Sequence, residues 1–245
     1  MATLVGALPL SLLAQVRRPD PVPAGSRSGS KAPKKRTELY IGGGTIALDK
    51  DNATKASMPV GAIGLRHQLR PQWLFVGAVA EYGKTTIDGQ FFPYEKRVTG
   101  DTTEFVAVGG NATMVAGRIT VDGLFAVDEA KRFHVGAGLN GGLYQMSATP
   151  VGSGTGSFVA PTFGAALLGQ ADVTARLGVT ASLGFTQFTN YDREKLRPSD
   201  PAKEDPVITT PFSQPPAAVK SFGGPRLIVG VTYRFGVKKV TKGRK

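Results

Sequence analysis

The stretch Val115-Ala-Gly-Arg-Ile-Thr-Val-Asp-Gly-Leu-Phe-Ala-Val127 decides the fold class of this chain. Its odd positions (Val115, Gly117, Ile119, Val121, Gly123, Phe125, Val127) contain no polar side chain, whereas the even ones include Arg118, Thr120 and Asp122. Strict period-two alternation argues a β-strand with one wholly apolar face and one face that carries charge. A soluble sheet hides its apolar face against a second layer. A membrane barrel turns that face to lipid and keeps polar groups inside.

Working outward, the pattern recurs. Phe133, Val135, Ala137, Leu139, Gly141 and Leu143 share one parity against His134, Asn140 and Tyr144, and Leu177, Val179, Ala181, Leu183 and Phe185 oppose Thr180, Ser182 and Thr186. An Arg or Lys on a lipid-facing position near the midplane would cost about 2–4 kcal/mol, and these faces carry none. Eight such strands are predicted, at about 38–48, 57–68, 73–84, 112–127, 132–146, 157–171, 174–189 and 224–236, with Phe105–Gly110 either extending the fourth or forming a short strand in the loop before it. The connections after strands two, four and six are tight (Leu69–Gln72, Asp128–Lys131 and around Asp172–Thr174); those after one, three, five and seven are long. Short turns at one end of a meander and long loops at the other are the layout of outer-membrane barrels, and an even strand number puts both termini at the short-turn end.

Over 38–236 the chain resembles the small eight-stranded bacterial outer-membrane β-barrels, such as the transmembrane domain of outer-membrane protein A. The resemblance is sharpest in the last strand, where Leu227, Val229, Val231, Tyr233 and Phe235 alternate with Ile228, Gly230, Thr232 and Arg234. It implies an all-β, eight-stranded antiparallel up-and-down transmembrane barrel in the cell outer membrane. It also implies that the barrel-assembly machinery reads the final strand through a terminal aromatic, which Phe235 matches in kind although ten residues follow it.

Composition narrows the chemistry. There is no cysteine, which removes disulfides and thiolate metal sites, and two histidines, His67 and His134, are too few for a multi-histidine centre. The 32 glycines lie within apolar stretches, as suits a sharply curved wall and a narrow lumen. The net charge of +12 sits at the ends. Residues 15–37 hold Arg17, Arg18, Arg27, Lys31, Lys34, Lys35 and Arg36 against Asp20, and 237–245 hold Lys238, Lys239, Lys242, Arg244 and Lys245. We expect 1–14 to be a cleaved signal peptide, 15–37 a disordered basic Pro/Ser-rich segment, and 237–245 a basic tail. No aromatic residues interleave with these lysines for base stacking, so nucleic acid is not expected; outer-membrane lipid is, with anionic headgroups as partners for the tails.

On the polar parity lie Arg66, Glu81, Arg118, Asp122 and Arg234, which parity joins in a lumen network of ion pairs, because an eight-stranded barrel is only wide enough for side chains. Phe125, Phe133, Tyr233 and Phe235 suit an aromatic girdle near the short turns, and Tyr82 and Phe185 one near the long loops. Parity alone puts Trp73 inward. Gly136-Ala-Gly-Leu-Asn-Gly141 matches a dinucleotide-binding spacing, but strand pattern follows it and no acidic residue appears until Asp172. Asn52 and Asn111 open Asn-x-Thr triplets that read as turn residues. Neither histidine has a serine two positions away on its own face, so no catalytic residue, cofactor or metal is expected. The expected role is a non-catalytic envelope barrel with a packed lumen and surface loops. The alternatives are a lipid-modifying barrel enzyme, a carrier of small apolar solutes, and a soluble lipocalin-like barrel with its apolar face inside.

Overall fold

The computed structural model describes residues 36–48, 57–70, 72–87, 91, 94–107, 110–150, 155–196, 210–212 and 219–235. The expected signal peptide, most of the basic N-terminal segment, the C-terminal tail and Asn52 lie outside the described residues. Eight strands close into an antiparallel barrel: β1 (Thr37–Ala47), β2 (Ser57–Gln68), β3 (Leu74–Ile87), β6 (Gly110–Ala126), β7 (Phe133–Pro150), β8 (Gly156–Asp172), β9 (Leu177–Phe188) and β11 (Phe222–Phe235). Each pairs with its neighbour along the chain, and β1 closes the ring on β11. The fold class read from alternation is the observed one.

Register fixes the geometry. Starting from Arg36, whose carbonyl accepts the Gln68 amide hydrogen, the paired residues run through Phe75, Asp122, Gly138, Ala166, Gly184 and Arg226 to Ile46. One circuit therefore climbs ten residues along the first strand. A shear of ten over eight strands, with the usual strand spacing and rise, tilts the strands by about 40°. The interior is narrow at that size, and side chains fill it.

The outward face is apolar over a limited height. On β7 it runs from Phe133 to Leu143 before giving way to Gln145, Ser147 and Thr149; on β6 from Phe125 to Val115 before Thr113 and Asn111. At about 3.4 Å per residue and the tilt above, this belt is roughly 25 Å tall, the height of an outer-membrane hydrocarbon layer. Leu139 is 67% exposed, Ile119 65% and Leu167 66%, whereas soluble proteins rarely expose a continuous apolar ring of this extent. Val121, Leu227 and Val229 face outward with them.

Beyond the belt the alternation continues but its sense inverts. Met58, Val60, Met114, Met146 and Phe158 point inward and are buried, while Ser57, Asn111, Gln145 and Ser157 face out. The polar inner face read from the alternation therefore holds within the belt and not beyond it. Strands of up to 18 residues overshoot the hydrocarbon, and above it water is on the outside, so hydrophobic burial reverses the pattern.

The connection after the third strand reads in the sequence as loop with at most one short strand. Instead β4 (Tyr94–Thr99) and β5 (Thr102–Ala107) form a hairpin, and β10 (Thr210–Phe212) adds to β5 as a third strand. Gly100, at φ 59°, takes the first position of the two-residue Gly100-Asp101 turn, where positive φ is demanded. At the opposite pole the turn after β6 is closed by Asp128, whose carboxylate accepts the amide hydrogens of Phe133 (2.7 Å) and Arg132 (3.0 Å). Those two bonds hold its carboxyl below the usual carboxylate range.

Trp73 is a second correction. It belongs to the turn before β3, not to the strand, so parity does not govern it; its ring lies outside, stacked on Phe125 with centroids 5.2 Å apart.

Candidate functional site

The lumen has two storeys. The one nearer the short turns is built on a cross-strand row set by register: Glu38 on β1 lies opposite Arg66 on β2 and opposite Arg234 on β11. Glu38 is fully buried and is shared by three guanidiniums, with Arg66 Nη2 at 2.6 Å, Arg234 Nε at 2.9 Å and Arg36 Nε at 3.1 Å. Arg234 also pairs with Asp172, and Arg66 donates to Gln170 and lies 3.8 Å from Asp122. The Arg36 and Arg66 guanidiniums sit over the buried Phe75 ring, at 5.6 and 5.1 Å from its centroid. One floor up, Glu81 on β3 pairs with Arg118 on β6 (3.1 Å) and, across the bore, with Arg226 on β11. Arg118 also donates from Nη1 to Asn140 and Thr186, both at 3.1 Å.

The storey nearer the long loops is apolar and aromatic. Tyr144, Phe158, Phe188 and Phe222 from the wall meet Phe91 and Tyr191 from the connections. Ring centroids lie 4.7 Å apart for Phe188–Phe222 and 5.0 Å for Tyr144–Phe188. Tyr191 donates its hydroxyl hydrogen to the Phe91 carbonyl (2.8 Å) and Tyr144 to the Thr189 carbonyl (3.1 Å), which ties two loops into the bore. Burial pushes the Tyr191 hydroxyl well above its ordinary pKa, so it remains a neutral donor. Each buried ring of this kind is worth about 1.5–3 kcal/mol, with about 0.5–1.5 more for a well-oriented pair. Arg118 marks the boundary, its guanidinium 5.5 Å from the Phe188 ring centroid.

Arg66, Glu81, Arg118, Asp122 and Arg234 all face the bore, but in two groups: Arg66, Asp122 and Arg234 with Glu38 below, Glu81 with Arg118 above. Parity reasoning missed Glu38, Asp172 and Arg226. Leu39 and Ile41 on the outward parity were the available signal for Glu38, as were Pro225 and Leu227 for Arg226, while Asp172 stands at the end of β8 where the period is shortest. Tyr82, Phe125, Phe133, Phe185, Tyr233 and Phe235 all lie on the outer surface. Tyr82 and Phe185 are followed outward by Lys84 and Gln187, at the upper edge of the belt, and Tyr233 contacts Phe235 edge-on at 5.1 Å.

His67 and His134 are not brought together: His67 is exposed on β2 and shares a 2.9 Å hydrogen bond with the Thr37 hydroxyl, while His134 faces the short-turn end of the bore from β7. Neither hydrogen-bonds a carboxylate among the described residues. The Gly136–Gly141 spacing lies within β7, where a Cβ at Gly136 would strike the Gly123 carbonyl and one at Gly138 the Asp122 carboxylate. Those glycines admit the neighbouring strand and a lumen side chain.

No protein-family model matches the chain, and no curated protein matches it in sequence. Solved structures match in fold. Neisserial surface protein A aligns at a TM-score of 0.50 with 10% identity, over 82% of this chain and 99% of that one. Ail of Yersinia pestis aligns at 0.41 with 11% identity, over 82% and 99%, and the N-terminal β-barrel domain of Pseudomonas aeruginosa OprF at 0.34 with 16% identity, over 82% and 97%. The first of these shares the fold seen here, and with the belt and the circuit of strands the chain has the architecture of a small transmembrane β-barrel.

Proposed function

We propose that this outer-membrane barrel is a closed, non-catalytic envelope component whose work is done by the long loops, in surface contact or in keeping the envelope intact. The supporting observation is the double filling of the bore, ion-paired below and aromatic above, with Phe91, Tyr191, Leu196 and Val219 from the connections buried in the upper half. In planar bilayers the refolded protein should insert without stable large conductance. Well-resolved porin-like steps would refute the sealed bore.

The tails follow from the seam. Thr37 lies opposite Phe235, so the first and last strands of the barrel end together at the short-turn pole. There the tails would face anionic headgroups of the inner leaflet, at about 1 kcal/mol for each Lys or Arg near the surface. Phe235, closing β11, is the proposed handle for the barrel-assembly machinery. Deleting 237–245 should weaken association with vesicles in step with their anionic lipid fraction; association indifferent to the deletion would discard the tail reading.

A further inference from the structure

Between the two floors of the ion-paired storey lies a cavity of about 80 Å3, lined by Arg66, Arg118, Arg226, Glu81 and Asp122 together with hydroxyl and amide groups that include Thr180 and Asn140. One water occupies about 30 Å3 in the liquid, so the space holds more than a single solvent molecule. Its charges do not balance. Three arginines meet two carboxylates, and the outer members of the ion-paired floor do not correct the excess, since Arg36 and Arg234 are matched by Glu38 and Asp172. The surplus is local to the upper group, where Glu81 is shared by Arg118 and Arg226.

Donors are in surplus as well. Arg118 Nε and Nη2 and Arg226 Nε are buried without a hydrogen-bond partner in the protein, and the Arg118 side chain is only 2% exposed. Arg118 Nη2 is close to Glu81 Oε2, but off the hydrogen-bond line, and that carboxylate oxygen too lacks a hydrogen bond. The aromatic storey lies above, the Glu38 cluster below and lipid surrounds the wall, so solvent screens the surplus only weakly; a buried charge in such a setting is paired.

We infer that the cavity binds one small monovalent anion of halide size, held by Arg118 and Arg226 with neighbouring hydroxyls, as the counter-charge that completes the lumen. A monovalent ion matches the excess of one, the volume admits a compact ion, and an acceptor without hydrogens matches the donor-rich lining. The site goes beyond the envelope role and does not depend on what the loops contact.

The test uses the full-length protein, refolded in zwitterionic detergent in sodium chloride or in sodium gluconate at equal ionic strength, with unfolding followed by Trp73 fluorescence. Gluconate is too bulky for the cavity. Because binding to the folded state alone stabilises it by mass action, chloride at ten times its dissociation constant should raise the midpoint by about 3–6 °C, and the rise should saturate. R226Q leaves Arg118 and Glu81 matched one to one and should abolish the chloride dependence, whereas R226K should keep it. Equal midpoints for the unaltered protein in the two salts would overturn the inference, as would a chloride dependence that survives in R226Q. If R226Q does not refold, crystals of the unaltered protein grown in bromide decide the matter: an anomalous peak beside Arg118 supports the site, and its absence overturns it.

Discussion

Glu38→Gln is expected to destabilise the barrel by about 3–5 kcal/mol, the cost of removing one partner from a buried ion pair and leaving the other charged. The effect should fall at the upper end, because the carboxylate is fully buried and serves three arginines at once. With Glu38 neutral, Arg234 keeps Asp172, and the one carboxylate left beside Arg66 is the more distant Asp122, at 3.8 Å. The measurement is urea unfolding in lipid vesicles, with the exposed turn residue Glu129 as control, since Glu129→Gln should lie within about 0.5 kcal/mol of the unaltered protein. Replacing Glu38 and Arg66 together by Met should recover part of the loss, because apolar substitution of a whole buried pair is often tolerated. Comparable midpoints for Glu38→Gln and Glu129→Gln would mean that the floor does not hold the ring together.

The second large effect concerns the wall. Leu139 faces outward at the middle of the belt, and Leu139→Arg should cost about 2–4 kcal/mol in a bilayer. Gln145 faces the same way on the same strand but lies past the belt, so Gln145→Arg should cost about 0–1 kcal/mol. A soluble barrel would show no such gradient, because at an exposed position in water a leucine and an arginine differ little. Refolding both variants into vesicles and comparing unfolding midpoints separates the cases. Equal stability at the two positions would contradict the assigned lipid face.

How much of this was legible in the sequence depends on which property is asked for. Alternation at Val115–Val127 and Leu227–Phe235 carries strand identity and facing, because both are local, and the tight turns at Leu69–Gln72 and Asp128–Lys131 carry strand order. Register is not local. That Glu38 lies between Arg66 and Arg234 depends on how two distant strands slide against β1. Nor does periodicity say which solvent is outside: Met114 and Met146 alternate with Thr113 and Gln145 as regularly as Arg118 does with Ile119, and only the height of the belt tells the two regimes apart. The β4–β5 hairpin did have signals, Gly100-Asp101 between two short runs and the apolar Phe105-Val-Ala107 in the second, but both runs lack the long alternation that identifies a wall strand.

The Glu38–Arg234 contact has one more implication, for biogenesis. It fastens the first wall strand to β11, so the clasp shuts only when β11 has been delivered. A chain truncated before β11 would lack Arg226 and Arg234 and leave β1 with a raw edge. Closure thus rests on electrostatics as well as on backbone pairing, and a copy that stops before β11 makes neither contact.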